Sequence, residues 1–425
     1  MRRTIFTGTA ALLIGAATLH AAGDAPITRK EYEQMKREMA AMRAELDAVK
    51  AKSAPAADGP QVRGAGASAI ALLNRKVDEL TDIAKPGESK FHLAGSASAT
   101  FSSSQNESSN FAATFSPVLL WHLNDHLLFE GEVEFELDGG DTVTKLEYAA
   151  LDWSLNDYVT LVAGKFLNPM NNFVERYEPK WINKLPDTPF GIYDGFLPES
   201  NVGAQLRGVI PIGSTKINLA GYVSNAPRLI TDDAGALGQL NFDNFTSSSD
   251  DKAVGGHIGF QLCPNFEIGY GVQYAKVQGD TQPSVRSLQQ SIDLSTHLDA
   301  LSGRFTLLGQ YAWSDVGNTT YNADGSLGVG PLDYSNKRKG GYGQLSYRGR
   351  KFESDLLNKC EFIVRADHVS APAGDPNSTD QKRLTLGLDY WVSSSVVVKT
   401  AYEFERNGKG EPNNDTFLIG IATGL

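Results

Sequence analysis

The sequence predicts an all-β transmembrane barrel of 16 antiparallel strands with an N-terminal α-helical coiled-coil extension. Three observations predict it. From Lys90 to the last residue, apolar side chains recur at every second position, the period of a strand whose two faces meet different surroundings. The turns interrupting this pattern are short at one end of the strands and long at the other, an asymmetry a soluble sandwich has no reason to show. Ahead of Lys90 the apolar spacing changes to alternating threes and fours, which belongs to helices.

Composition removes the main alternatives. In 425 residues the hydrophobic share is 41% and mean hydropathy is -0.27, and no run of about twenty apolar residues suits a helical membrane span. The 42 Gly, 15 Tyr and 20 Phe suit a sheet with many turns, and this aromatic content argues against disorder. Two cysteines cannot build a disulfide framework or a four-ligand zinc site, and no Cys/His cluster stands at metal-ligand spacing, so no metal or other cofactor is expected. A formal net charge of -11 leaves nothing to neutralise phosphates broadly, so nucleic acid is not an expected partner.

The elements follow in order. Residues 1–22 have the layout of a secretory signal peptide: Arg2 and Arg3, the apolar stretch Thr9 to Leu19, then small Ala21 and Ala22. Within 23–52, Tyr32, Met35, Met39, Met42, Leu46 and Val49 keep one apolar seam along a helix, with Glu33 and Arg37 as an i,i+4 pair on the wet side. Three heptads barely hold as a lone helix, so this coiled-coil segment is expected to need partner chains. Residues 53–89 read as a linker rich in Ala, Gly and Pro, then a short amphipathic helix on Ile70, Leu73, Val77 and Leu80 that Pro86 and Gly87 stop.

The barrel is assigned to 90–425. Phe91, Leu93, Ala97, Ala99 and Phe101 mark the first strand, and Phe115, Leu119, Trp121 and Leu123 the second, which runs into the Asn124-Asp125-His126 turn. The third strand carries Phe129, Val133, Phe135 and Leu137, the fourth ends at Trp153, and Asn156-Asp157 turns the chain into the fifth, Val159 to Phe166. Further strands are expected near Val202 to Ile210, Ile217 to Val223, Val254 to Leu262, Phe266 to Lys276, Ile292 to Ala300 and Arg304 to Trp313. The last five fall near Tyr342 to Arg348, Cys360 to Val369, Leu384 to Val392, Val396 to Phe404 and Thr416 to Leu425. Connections at about 124–126, 155–157, 211–214, 263–265, 301–303 and 393–395 are short, with a longer turn near 349–358; those at 167–200, 225–252, 277–291 and 315–340 are long.

The alternation says what each face meets. On the third strand Phe129, Val133, Phe135 and Leu137 share one face, while Glu130, Glu132, Glu134 and Glu136 share the other and need water. The same split separates Leu384, Leu386, Leu388 and Tyr390 from Arg383, Thr385 and Asp389, and Phe305, Leu307, Tyr311 and Trp313 from Arg304, Thr306 and Gln310. Grease outside and water inside require a sheet closed on itself, because lipid offers no hydrogen bonds to an open edge. A barrel of this many strands leaves an aqueous lumen.

Aromatic residues gather near strand ends: Trp121, Trp153 and Tyr158 beside short turns, and Phe135, Tyr274, Trp313 and Phe404 towards the long loops. The final stretch Phe417, Ile419, Ile421, Thr423, Leu425 alternates to the terminal carboxylate, with Leu425 standing where such closing strands usually carry an aromatic. Gly164-Lys165-Phe166-Leu167-Asn168-Pro169 forms a G-[KR]-F…P segment, and Asn201-Val202-Gly203-Ala204-Gln205-Leu206-Arg207-Gly208 holds a G-x-x-L-x-G strand. In these motifs and in architecture the sequence resembles Gram-negative trimeric porins, most nearly the phosphate-selective porin O and P family. The resemblance implies a channel in outer-membrane lipid for passive diffusion of ions, anions such as phosphate among them, and of small hydrophilic solutes. It further implies a homotrimer with its N-terminal extension in the periplasm, and a third outer connection, 167–200, that folds inward as a constriction. That connection is rich in Pro and aromatic residues, including Phe173, Tyr177, Trp181, Phe190 and Tyr193.

Arg176, Lys180 and Lys184 of the connection, with Lys165 at its base, are expected to face the acidic third strand and set up a transverse field. The alternative is that they are ordinary solvated loop positions. Arg207, Lys216, Arg304, Arg348, Arg365, Arg383 and Lys399 fall on expected lumen positions and form a candidate anion track. Residues 90–425 nevertheless hold 26 Lys and Arg against 39 Asp and Glu, so weak selectivity is expected rather than an exclusive anion pore.

Two other functions compete with a channel. An enzyme is not expected, because the seven His are scattered and no Ser/His/Asp set stands at recognisable spacing; His257 and His297 read as polar lining. A structural role remains the alternative: an outer-membrane anchor tethering the envelope to cell-wall peptidoglycan through the helical stalk. Cys263 and Cys360 lie near the short-turn side on strands that are not neighbours, so separate thiols are expected.

Overall fold

The computed structural model describes residues 90–425 apart from 139–140, 194–195, 232, 234–235, 243–249, 280–282, 324, 326–329, 371, 373, 376–379 and 409–410. The signal peptide (1–22), coiled coil (23–52) and linker with its short helix (53–89) lie outside the described residues.

Sixteen strands form one closed antiparallel barrel in sequence order. They are β1 (Phe91–Ser104), β2 (Asn110–Asn124), β3 (Leu127–Asp138), β4 (Asp141–Asn156), β5 (Val159–Leu167), β6 (Ser200–Ile212), β7 (Thr215–Asn225) and β8 (Lys252–Cys263). The second half comprises β9 (Phe266–Val277), β10 (Val285–Ala300), β11 (Gly303–Val316), β12 (Asn336–Gly349), β13 (Cys360–Ser370), β14 (Gln381–Trp391), β15 (Val396–Asn407) and β16 (Thr416–Gly424). Pairing of β1 with β16, from Ser96 opposite Gly424 to Ser104 opposite Thr416, closes the wall and leaves no edge. Among the described residues no helix is long and apolar enough to cross a membrane.

Burial is inverted relative to a water-soluble protein. Leu386 of β14 is 45% exposed while its neighbour Thr385 is 0% exposed, so the apolar side faces outward and the polar side inward. Leu384 and Leu388, Phe362 and Val364 on β13, and Ile419 and Ile421 on β16 continue the outer apolar belt. Gln273, Gln289, Gln310, Asp389 and Lys399 are buried on the inner side. Trp121, Trp153 and Tyr158 are exposed beside the short turns, and Tyr274 and Tyr311 further along the wall, where amphipathic rings suit a lipid interface.

Two strands start earlier than the alternation suggests. The connection expected at 277–291 shrinks because β10 begins at Val285, and the one expected at 315–340 ends where β12 begins at Asn336. Their first residues are mostly polar and read as loop. Ser287, Gln289 and Ser291 instead point inward and are fully buried, so polarity there marks the inner face. The connection after β7 and that after β11 each contain a two-residue hairpin, Arg228–Leu229 with Leu240–Asn241 and Thr320–Tyr321 with Leu332–Asp333. Leu229, Leu237, Leu240, Tyr321 and Tyr334 pack these connections into one apolar cluster, with the Tyr321 and Tyr334 rings stacked at 4.4 Å. The Asn336 side-chain amide donates to the Gly238 carbonyl at 2.7 Å, holding the two connections together.

One irregularity bears on the lumen. Glu132 pairs with Tyr148 and Val133 with Leu146, so the β4 residue between them, Glu147, is an extra residue in a β-bulge. Cys263 and Cys360 are separate free thiols.

Candidate functional site

The connection from β5 to β6 is tied to the inner wall along its length. It leaves β5 through Gly164-Lys165-Phe166. Gly164 has φ 134°, and a Cβ there would run into the Ala149–Ala150 backbone of β4, which is why the motif opens with glycine. The Lys165 ammonium donates to the Leu146 carbonyl at 2.6 Å. Asn168 accepts from the Met170 amide at 2.8 Å and donates to Asn201 at 2.5 Å, fixing the bend at the base of the connection.

Beyond the bend, the Met170 carbonyl accepts from Ser291 of β10 and Gln310 of β11, each at 2.8 Å. A short helix, α1 (Asn172–Arg176), follows; Asn171 caps it through the Val174 amide. Its Asn172 donates to Asp293 Oδ1 at 3.0 Å, and Asp293 Oδ2 is paired with His257 Nε2 at 2.8 Å. Met170, Phe173, Ile192, Phe196 and Leu197 form an apolar cluster with Leu308, Ala312 and Tyr342 of the wall, which explains the aromatic richness of this segment. Leu185 packs on Ile363, Ala401 and Leu418 further round.

Polar grips complete the attachment. Lys399 of β15 donates to the carbonyls of Lys180, at 2.7 Å, and Asn183. Arg365 of β13 donates to the Asp187 and Thr188 carbonyls at 2.9 and 3.0 Å, and Arg383 of β14 reaches Asp187 Oδ2 at 2.6 Å and the Thr188 carbonyl at 2.7 Å. Removal from bulk water would raise the Asp187 carboxyl, although water still reaches part of it; the Arg383 and Arg365 guanidinium groups outweigh this and hold it below the usual carboxylate range. The connection therefore covers the inner wall from β9 to β16.

Opposite it, facing β1 to β4, a gap of about 160 Å³ remains. Ser96, Ser116, Glu132, Glu134, Glu147 and Tyr148 line it from the wall, and Leu167, Val174, Glu175, Glu178, Pro179 and Lys180 from the connection. Glu134 accepts from Ser116 at 3.2 Å and lies across from Lys145 in the β3–β4 register. Glu178 accepts from the Tyr193 hydroxyl at 2.7 Å. Burial pushes the Glu178 carboxyl up to about 8; the Tyr193 hydrogen bond opposes the shift, while Glu199 and Glu147 add to it.

The sequence-derived residues therefore divide. Glu132, Glu134 and Lys180 line one gap together. Glu130 lies within electrostatic reach of Asp152, Arg207 and Glu175, while Arg207 itself donates to Gln205 at 2.7 Å. Glu136 is half-buried on the same inner face, opposite Val143. Arg176 and Lys184 turn to the other wall, pairing with Glu267 at 3.0 Å and Glu361 at 2.5 Å instead of facing β3. Arg365, Arg383 and Lys399 are 0%, 7% and 2% exposed and hold the connection in place of lining open lumen. At the short-turn end, Arg304 is bidentate to Asp299 at 2.6 and 2.9 Å, and the Arg348 guanidinium lies 4.3 Å from the Trp391 ring centre. Lys216 is exposed near the β6–β7 turn. Glu147, Tyr148, Glu175 and Glu178 escape a sequence reading: the bulge hides which way Glu147 points, and a loop has no period to orient Glu175 or Glu178.

No family model matches the sequence, and no curated protein matches it. Solved structures do. OmpF of Salmonella typhi, in complex with daunomycin, is 12% identical and matches 79% of this chain and 97% of its own at a TM-score of 0.52. An anion-selective porin from Comamonas acidovorans is 11% identical and matches 79% of this chain and 99% of its own at 0.50. At such identities the likeness is one of fold: the 16-stranded barrel of outer-membrane porins.

Proposed function

We propose that this chain forms an outer-membrane channel for passive diffusion of ions and small hydrophilic solutes, with the β5–β6 connection as its constriction. The observation that carries this reading is the gap of about 160 Å³ between the acidic β3–β4 wall and the connection. A barrel of 16 strands is too wide for wall side chains alone to fill. Here a wall-anchored segment fills the β9–β16 side and leaves the β1–β4 side lined with groups that water solvates.

The charge at the gap supports a preference for cations. Carboxylates of Glu132, Glu134, Glu147 and Glu175 line it against the ammonium of Lys180. Arg365, Arg383 and Lys399 of β13 to β15 are committed to the connection. This arrangement speaks against the anion preference implied by resemblance to the phosphate-selective porin O and P family. The apolar outer belt and the segregation of short and long connections support an outer-membrane location. Phe91 opens β1 at the short-turn rim, which supports a periplasmic place for residues 23–89, where the coiled-coil seam of 23–52 would join three copies. A tether to peptidoglycan through that stalk is compatible with transport.

Single-channel recording of the purified full chain in planar bilayers tests the reading. Steady conductance with a reversal potential of cationic sign in a KCl gradient is expected. A folded barrel that never conducts would leave only the anchor role, which co-sedimentation of the full chain with purified sacculi tests.

A further inference from the structure

We propose that Glu178 is a pH-responsive selectivity element of the constriction, changing the channel's preference for cations as it gains or loses its proton. This rests on the channel reading above. The side chain lines the gap, two residues after α1 ends. It is held from behind by the Tyr193 hydroxyl at 2.7 Å, and Tyr193 belongs to the far limb of the same connection. Tyr193 is itself set edge-on against Phe173, with ring centres 6.0 Å apart, inside the apolar cluster that binds the connection to the wall. The carboxyl is thus mounted on a packed scaffold.

The titratable groups around it come from β3, β4 and the connection, while β1 and β2 present only Ser96 and Ser116. From β3 come Glu132 and Glu134, and from β4 Glu147 and the Tyr148 phenol. From the connection come Glu175, Lys180 and Glu199. Burial is the main reason the carboxyl keeps its proton; repulsion from Glu199 and Glu147 adds to it, and the Tyr193 hydrogen bond and Lys180 oppose it, so Glu178 holds its proton until about pH 8. The sign follows directly. Below that pH the group is neutral, above it the gap gains one negative charge, and cation preference rises. A unit charge roughly 5 Å from a passing ion in a water-like medium changes local cation concentration about fourfold, and salt screening reduces this to about twofold.

The test is the K⁺ over Cl⁻ permeability ratio of the full chain, from reversal potentials in planar bilayers across about pH 6 to 10. The wild type is expected to show a rise of about fourfold in this ratio, about twofold from more cation and about twofold from less anion, centred near pH 8. Glu178→Gln should abolish the step, while Glu175→Gln should keep it. Tyr193→Phe removes a hydrogen bond that favours the charged form, so its step should move to higher pH. That variant gives an independent test should Glu178→Gln fail to form a barrel. An unchanged step in Glu178→Gln, or a conducting wild type without any step, overturns the proposal and leaves the channel intact. Absence of steady conductance in the wild type overturns both.

Discussion

The guanidinium of Arg383 and the carboxylate of Asp187 meet at 2.6 Å, 196 residues apart in sequence, joining β14 to the middle of the β5–β6 connection. Arg383 also bonds Glu403 at 3.2 Å, and its guanidinium lies over the Phe190 ring at 4.9 Å. One side chain thus fastens the connection through charge, backbone and ring contacts together.

The Asp187 carboxyl is held low, so its contribution to this attachment is full above the ordinary Asp value of about 4 and is lost as pH falls through the lowered value. Wild-type channels are therefore expected to conduct quietly at neutral pH and to show current transitions that become frequent only as pH falls from about 4 through the lowered Asp187 value. Asp187→Asn should show those transitions already at pH 7. Current noise in single-channel records measures both.

Removing the wall carboxylates should weaken selectivity. Glu132→Gln combined with Glu134→Gln takes up to two negative charges from the gap, and the K⁺ over Cl⁻ permeability ratio is expected to fall severalfold. Lys180→Gln should raise the ratio. Arg365→Gln should change conductance through the position of the connection, because its guanidinium is buried away from the gap. Reversal potentials and unit conductance, read on the same channels, separate the two effects.

The connection touches the wall backbone to backbone at Gly191. A Cβ there would come within 2.6 Å of the Gly341 carbonyl oxygen and 2.7 Å of the His368 carbonyl oxygen, neither of which is a flexible side-chain end. Gly191→Ala is expected to lift this limb off β12 and β13 and alter unit conductance while the barrel still folds. A conductance identical to wild type would show that this approach does not shape the constriction.

The outer belt should tolerate no buried cation. Leu386 lies midway along β14 on the lipid-facing side, and Leu386→Arg is expected to cost about 2–4 kcal/mol of barrel stability, as for Arg near a bilayer midplane. Reversible denaturant unfolding in lipid measures it.

Much of the wall was legible because its code is local. The alternation at Glu130 to Leu137 places each side chain on a face from its two neighbours alone, and the turns at Asn124-Asp125-His126 and Asn156-Asp157 name themselves by composition. Legibility failed where polarity has two meanings. The Ser287, Gln289 and Ser291 run looks like a loop, yet it is a strand with a buried polar inner face. It failed again at Glu147, where one extra residue breaks the period.

By itself the sequence determined the closed barrel with its apolar exterior, its segregated short and long connections and an acidic third strand, since each follows from side-chain period or from composition within a few residues. Only the tertiary structure decided which charges meet. Arg176 and Lys184 sit close to Lys180 along the chain, yet they pair with Glu267 and Glu361, 91 and 177 positions away, while Lys180 alone of the three lines the gap. The physical reason is that a connection without regular period is oriented by where its apolar side chains find cover. The cover for Phe173, Leu185 and Ile192 lies on strands far along the sequence.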